Sequence, residues 1–187
     1  FDFGAEKFLR EGVSLPHDTL DRFRAEFDAI LLGALGDPRV PDMKHAADIL
    51  LGTRFKMDLY ANLRPVRCLA ERLCPLRNFH AEDVDFVVFR ENTEGAYAGM
   101  GGIFKKGTAD EVATQTAVYT RKGCERCIRW AFEFTRRRNN PKHRLTLVAK
   151  TNVLTFGHDL WWRTYQEVAK EYPDIEADYN HVDACCM

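Results

Sequence analysis

The stretch Phe86-Val-Val-Phe-Arg-Glu-Asn-Thr-Glu-Gly-Ala-Tyr97 joins an apolar run to a dense group of polar side chains. The run 86–89 predicts a buried strand. Arg90, two glutamates and Tyr97 follow it within eight residues. Open α/β sheets bind ligands at the carboxyl ends of their strands, so this combination indicates a ligand site. A buried strand that ends in an ordinary polar turn is the alternative.

The chain on both sides of this stretch predicts an α/β order of elements. Short apolar runs predict further strands at residues 28–34, 145–149 and 178–182. Apolar residues repeating every three to four positions predict helices at 20–27, 44–60, 121–138 and 158–171. Residues 97–119, rich in threonine and valine, predict an exposed hairpin-like arm that contacts a partner.

Composition and charge narrow the class of protein. The 187 residues are 45% hydrophobic and 29% charged, which is typical of a soluble globular protein. The net charge of −1 gives no field that favours nucleic acid, and the basic patch at 136–144 is typical of a solvated helix end. No signal peptide or long apolar span is recognisable. We therefore expect a cytoplasmic protein without nucleic-acid or membrane partners.

The six cysteines also favour a reducing compartment with free thiols. Cys124 and Cys127 have the CxxC spacing of some zinc and redox sites. They lie inside a predicted helix, however, so we interpret them as two small apolar residues on one helix face.

Polar groups at four strand or loop ends are the candidates for chemistry: Arg64 with Arg67 or Arg72, Arg90 with Tyr97, Lys150 with Asn152, and Asp183. Converging arginines suit a substrate with several carboxylates, at roughly 1.5–3 kcal/mol per charged hydrogen bond. Asp183 suits a hard cation, and Lys150 suits a general base if burial lowers its pKa. The alternatives are a helix cap for Asp183 and a surface lysine for Lys150.

Four motifs in this order resemble the β-decarboxylating dehydrogenases, the isocitrate/isopropylmalate dehydrogenase family: Asn62-Leu-Arg-Pro65, Arg90-Glu-Asn-Thr-Glu-Gly95 with Tyr97, Lys150-Thr-Asn152 and Val182-Asp-Ala184. The resemblance implies an isopropylmalate dehydrogenase-like two-domain α/β/α sandwich, here a fragment lacking both ends. Residues 1–68 would be part of the first, cofactor-side domain. Residues 69–187 would form most of the second domain, for dimerisation and substrate binding, with the arm at 97–119.

The resemblance also implies a reaction: oxidative decarboxylation of a 2-hydroxy dicarboxylate, with Mg²⁺ or Mn²⁺ and with hydride transfer to NAD. By motif position, Arg64, Arg72 and Arg90 match carboxylate-binding arginines, and Arg67 is the substitute for Arg72. The remaining matches are Lys150 as the base for the hydroxyl proton, Tyr97 as the acid for the enol carbon, Asp183 as a metal ligand and Asn152 at the nicotinamide. Family members share their sites across a homodimer, through this lysine and aspartate.

The helix before Arg64 bears on the substrate. Isocitrate-specific members carry a serine and an asparagine where this chain has Asp48 and Leu50, and Leu51 is adjacent. Burying an isopropyl group against two leucines would favour binding by about 1.5–3 kcal/mol. We therefore expect 3-isopropylmalate and leucine biosynthesis. Tartrate, D-malate and isocitrate remain alternatives, as does a non-catalytic regulatory subunit. We expect the 187-residue chain alone to be inactive.

Overall fold

A computed structural model describes residues 1–138, 140 and 142–187. Residues 139 and 141, within the basic patch of the sequence, lie outside the described residues. The chain divides into two units, residues 1–60 and residues 61–187, which are described separately below. The division expected near residue 68, which concerns the complete fold, stays a prediction.

The first unit is helical. Its helices are α1 (Ala5–Glu11), α2 (Thr19–Glu26) and α3 (Lys44–Lys56). Leu20 and Phe23 of α2 and Ile49 of α3 are buried in it. The helices predicted at 20–27 and 44–60 are confirmed, although α3 ends four residues earlier than expected.

The strand predicted at residues 28–34 is wrong. This segment has no strand structure, and all seven residues are exposed. A strand needs a neighbour to bond its backbone N–H and C=O groups, and no described segment pairs with this one. The apolar run alone did not predict this segment correctly, because a strand also requires a neighbouring strand to pair with.

The second unit contains three two-stranded sheets and three helices among its described residues. Its elements are β1 (Ala61–Arg67), β2 (Asp85–Glu91), β3 (Gly95–Phe104), β4 (Val112–Val118), α4 (Arg121–Arg137), β5 (Arg144–Ala149), α5 (Gly157–Ala169), β6 (Glu176–His181) and the one-turn helix α6 (Val182–Cys185). Strands β1 and β2 pair antiparallel, as do β3 and β4, which form the expected arm. Between β1 and β2 the chain makes two short 3₁₀ turns. These elements confirm the α/β class.

The β5–α5–β6 segment brings two strand ends together. The two strands pair in parallel, with Ala149 opposite His181. Parallel neighbours require a crossover connection, and α5 provides it. The residues that follow both strands therefore lie at the same edge of this sheet.

The core of this unit lies between α4 and α5. Phe132 of α4 is fully buried, and its ring stacks on Tyr165 at 5.4 Å and on Tyr172 at 4.8 Å between centroids. Cys124 and Cys127 lie on the same buried side of α4 and are free thiols. Burial raises the pKa of each to about 12. The interpretation of the CxxC pair as helix packing is confirmed.

A groove of about 920 Å³ runs along β2, α4 and β5 within the second unit. Apolar side chains such as Val87, Ile128 and Leu147 line much of it. Arg64, Arg90 and His158 also face this groove. Over the described ranges, no helix has the length and apolar character needed to cross a membrane.

Candidate functional site

Lys150 and Asp183 are two predicted site residues in direct contact. Lys150 follows the last residue of β5, and Asp183 lies in α6, two residues after β6 ends. The Nζ atom of Lys150 donates a hydrogen bond of 2.6 Å to Oδ1 of Asp183. This bond lowers the pKa of the Asp183 carboxyl. The parallel strands thus place a lysine and a carboxylate at one sheet edge.

The backbone of Lys150 is held on both sides. Its carbonyl oxygen accepts hydrogen bonds from the N–H groups of Val153 and Leu154, at 3.2 and 2.8 Å. Its own N–H donates to Nδ1 of His158 at 2.8 Å. His158 is the second residue of α5 and is partly buried. One tight turn therefore fixes where the Lys150 side chain begins.

Thr151, the next residue, is held by the side chain of Tyr179. The hydroxyl groups of Thr151 and Tyr179 lie 2.8 Å apart, and the N–H of Thr151 donates to the Tyr179 oxygen at 3.4 Å. The ring of Trp162 packs edge-on against Tyr179, with 4.9 Å between centroids. Side chains from α5 and β6 thus anchor two successive N–H groups after β5.

A second group of predicted residues lies where β2 ends and the arm begins. The guanidinium of Arg90 lies over the ring of Tyr97, with 4.7 Å from Cζ to the ring centroid. Arg90 pairs with Asn62 across β1 and β2, and Asn62 accepts a 2.9 Å hydrogen bond from Nε of Arg64. Arg64 and Arg90 face the same groove. Arg64 and Arg90 thus share one groove, and Tyr97 contacts Arg90.

The glutamates of the same stretch have structural partners. Glu91 accepts hydrogen bonds from the N–H groups of Thr93 and Glu94 at 2.8 and 2.6 Å, which closes the turn. Glu94 accepts one from the N–H of Thr120, at the start of α4. The contacts of Glu91 and Glu94 are therefore those of an ordinary polar turn at the end of a strand, which was the alternative interpretation of this stretch.

Two further arginines differ in their surroundings. Arg72 lies in a 3₁₀ turn and is exposed. Arg67 lies at the far end of β1 from Asn62, and its Nε donates to Asp85 at 3.1 Å. Arg67 is thus engaged within the sheet.

In the first unit, Leu50 and Leu51 are consecutive residues of α3. Leu50 is 40% exposed and Leu51 is partly buried. Asp48 accepts a hydrogen bond of 3.2 Å from the Ser14 hydroxyl, so it is already engaged inside this unit. The leucine pair therefore offers apolar surface that the unit does not fully bury.

The described residues do not form a complete metal site. Nowhere in the described ranges do three or more histidine, cysteine, aspartate or glutamate side chains cluster as ligands for an ion. A hard cation takes about six oxygen ligands. Asp183, which is 61% exposed, fits the role of a single ligand. Asn152 is exposed in the turn after β5.

Sequence reasoning missed His158 and Tyr179. Both contact the backbone beside Lys150, yet neither belongs to a recognisable motif. The available signal was weak: a histidine at the start of the helix that follows the lysine, and a tyrosine on the paired strand. Only the geometry of the turn brings their polar atoms to these N–H groups.

The sequence of this chain is similar to those of known enzymes. The chain is 48% identical to the 3-isopropylmalate dehydrogenase of Thermobifida fusca, over all of its length and 52% of that protein. It is 50% identical to the enzyme of the same name from Mycobacterium ulcerans, over 54% of that protein. The chain thus spans about half the length of these curated relatives.

A solved structure also matches the chain. A crystal structure of isocitrate dehydrogenase from Methylococcus capsulatus superposes with a TM-score of 0.75 at 35% identity. The match covers 98% of this chain and 51% of that one. The sequence profile described as isocitrate/isopropylmalate dehydrogenase matches residues 1–187. The ordered motifs, the α/β fold and these matches together show that the chain belongs to the isocitrate/isopropylmalate dehydrogenase family.

Proposed function

We propose that the protein containing this chain is an NAD-dependent 3-isopropylmalate dehydrogenase of leucine biosynthesis. The observation that carries the proposal is the Lys150–Asp183 pair at the carboxyl ends of two parallel strands. Such an edge is where open α/β sheets bind ligands. Family membership and relatives of that name support the choice of reaction.

The roles of the side chains follow from their chemistry. Arg64, Arg90 and Arg72 bind the substrate carboxylates through charged hydrogen bonds. Arg72 is preferred to Arg67 because Arg67 is engaged with Asp85. Lys150 accepts the proton of the 2-hydroxyl. Tyr97 donates a proton to the carbon that loses the carboxylate.

Two cofactors belong to the proposal. When bound, NAD supplies the hydride acceptor, and Mg²⁺ or Mn²⁺ supplies the positive charge that polarises the substrate oxygen. Asp183 would provide one oxygen ligand to the cation, and Asn152 would lie at the nicotinamide end. The other metal ligands would come from groups beyond the described residues.

The substrate assignment rests on α3. Leu50 and Leu51 offer an apolar surface to an isopropyl group, while Asp48 is engaged by Ser14. A third carboxylate, as in isocitrate, would be repelled by Asp48 and gains no donor from the two leucines. D-malate and tartrate are smaller and leave the apolar surface unfilled.

The wider setting is part of the same proposal. The arm of β3 and β4 joins two subunits in a cytoplasmic homodimer whose subunits share their active sites. Residues 1–68 belong to the cofactor-side domain and residues 69–187 to the dimerisation and substrate domain. The 187-residue chain by itself is inactive.

The test is NAD reduction by the protein expressed from its complete reading frame, with Mn²⁺ and K⁺. The four substrates are 3-isopropylmalate, D-malate, tartrate and isocitrate. We expect turnover that strongly favours 3-isopropylmalate. We expect a loss of about a hundredfold or more in kcat for Lys150→Met, whereas Lys170→Met, a change at an exposed lysine just after α5, serves as the matched control.

Other outcomes change the conclusion in defined ways. A preference for D-malate or tartrate would contradict the argument from Leu50 and Leu51 and leave the proton-transfer roles intact. No turnover with any substrate would instead favour the regulatory-subunit alternative. Full activity of Lys150→Met would contradict its role as the base.

A further inference from the structure

We propose that His158 is a positioning residue for Lys150, which it holds through a hydrogen bond from the Lys150 backbone to its neutral imidazole. The inference rests on the proposed role of Lys150 as the base. It concerns a side chain that belongs to none of the four family motifs found in the sequence.

The geometry defines the chemical form of His158. A backbone N–H can only donate, and it lies 2.8 Å from Nδ1. Nδ1 must therefore carry a lone pair, which places the ring proton on Nε2. A protonated imidazole has donors at both nitrogens and cannot accept this bond. Protonation of His158 thus removes the restraint on Lys150.

The imidazole is itself held in place. Its backbone N–H donates to the Leu154 carbonyl at 3.0 Å, and Leu154 in turn donates to the Lys150 carbonyl. The ring of Tyr119 packs edge-on against the imidazole, with 5.7 Å between centroids. Burial lowers the pKa of His158, which favours the neutral form at physiological pH. The Lys150 amide therefore selects the tautomer of His158, and the ring of Tyr119 restricts its rotamer.

Precise placement matters for the proton transfer. A general base must lie within about 2.6–3.2 Å of the proton-bearing atom. A misplacement of about 1 Å can cost on the order of a hundredfold in rate. Lys150 has four flexible side-chain bonds, so fixing its backbone limits the positions that Nζ can reach. His158 acts through Lys150 and need not touch substrate.

The test that does not need activity is NMR of the protein from its complete reading frame, labelled with ¹⁵N in histidine and lysine. The Lys150 amide is assigned by its loss in Lys150→Arg. We expect its resonance to shift with the same pH midpoint as the His158 ring. In His158→Asn, whose side-chain oxygen replaces Nδ1 as an acceptor, the pH-dependent shift should vanish and the amide should stay hydrogen-bonded. His17→Asn, at an exposed histidine of the first unit, is the control.

Kinetics then separate this inference from the proposed function. We expect His158→Leu to lower kcat about tenfold with KM little changed, and His158→Asn to retain most of kcat. A Lys150 amide that ignores the His158 titration would overturn the inference even in an active enzyme. An inactive wild type with the coupled titration would refute the proposed reaction and leave the hydrogen bond established. Equal kcat for all three proteins would refute the positioning role.

Discussion

Two buried thiols show how the surroundings of a residue set its reactivity. Cys124 and Cys127 are 0% and 3% exposed, and burial raises the pKa of each to about 12. Cys185 and Cys186 are exposed. Because the thiolate is the reactive form, we expect iodoacetamide at pH 8 to modify the buried pair at least about a hundredfold more slowly.

Peptide mass spectrometry over a time course measures the four rates in one sample. The exposed pair provides the internal control. Similar rates at all four positions would show that the α4 face opens readily, against the packing seen here.

The lowered pKa of His158 predicts a dependence of stability on pH. The unfolded chain, with a histidine pKa of about 6.5, binds a proton at a higher pH than the folded chain does. The contribution of His158 protonation to the free energy of unfolding is therefore zero above about pH 6.5. As the pH falls through that value, protonation of the unfolded chain destabilises the fold. The loss levels off once the pH is below the folded pKa.

We therefore expect His158→Asn to lose less stability than the wild type between pH 7.5 and pH 5. Urea unfolding at a series of pH values measures the difference between the two proteins, so other titrating groups cancel. A constant difference across this range would mean that His158 titrates in the folded state as it does in the unfolded chain.

At single positions, the sequence predicted which residues follow the strands, but not the contacts that these residues make. Lys150 and Asp183 were each assigned to a strand end, and parallel pairing then necessarily brought them to one edge. Arg90 and Tyr97 lie together for a local reason, since they are seven residues apart across one turn. His158 could not be found in this way, because its bond depends on the path of the turn after β5.

At the level of elements, Gly157 is required by a close approach. A Cβ atom at this first position of α5 would overlap the ring of Tyr119, which also packs on His158. We expect Gly157→Ala to lower the free energy of unfolding by about 1–3 kcal/mol. The matched control is Gly52→Ala in α3, where an added Cβ meets open space. That change should instead stabilise by about 0.5–1 kcal/mol.

Urea unfolding followed by circular dichroism compares the two variants with the wild type. Gly157→Ala should also displace the Tyr119 ring, and hence alter the resonance of the His158 ring. A stability of Gly157→Ala equal to that of the wild type would mean that Tyr119 moves aside without cost.

The secondary-structure elements differ in how well their own sequences predict them. The β5–α5–β6 unit was predicted because its apolar runs and helical period belong to one continuous segment. The segment 28–34 has an equally apolar composition and yet forms no strand among the described residues. Strand formation needs a second strand, and composition alone carries no information about whether one is present.

At the scale of the whole molecule, we expect the arm of β3 and β4 to form the interface of the proposed homodimer. Ile103 and Phe104 at the end of β3 are 55% and 66% exposed, so the arm presents two consecutive large apolar side chains that a partner subunit could cover. We expect Ile103→Glu to convert the proposed homodimer largely to monomers, because a buried unpaired carboxylate is costly. Lys106→Glu, in the exposed turn of the same arm, is the control.

Sedimentation velocity of the protein from its complete reading frame measures the outcome. If the lysine and the aspartate of one subunit serve the neighbouring site, activity should fall together with the dimer fraction. A stable dimer of Ile103→Glu would place the subunit interface elsewhere.

The groove along β2, α4 and β5 has a consequence for how this polypeptide behaves in a cell. Within the described residues, β2 pairs with β1 and β5 with β6, so each has a second edge whose backbone groups have no strand partner. Apolar side chains line the space between them. Unpaired edges next to apolar surface are templates for intermolecular pairing. We therefore expect the 187-residue chain to aggregate through these two edges at high concentration.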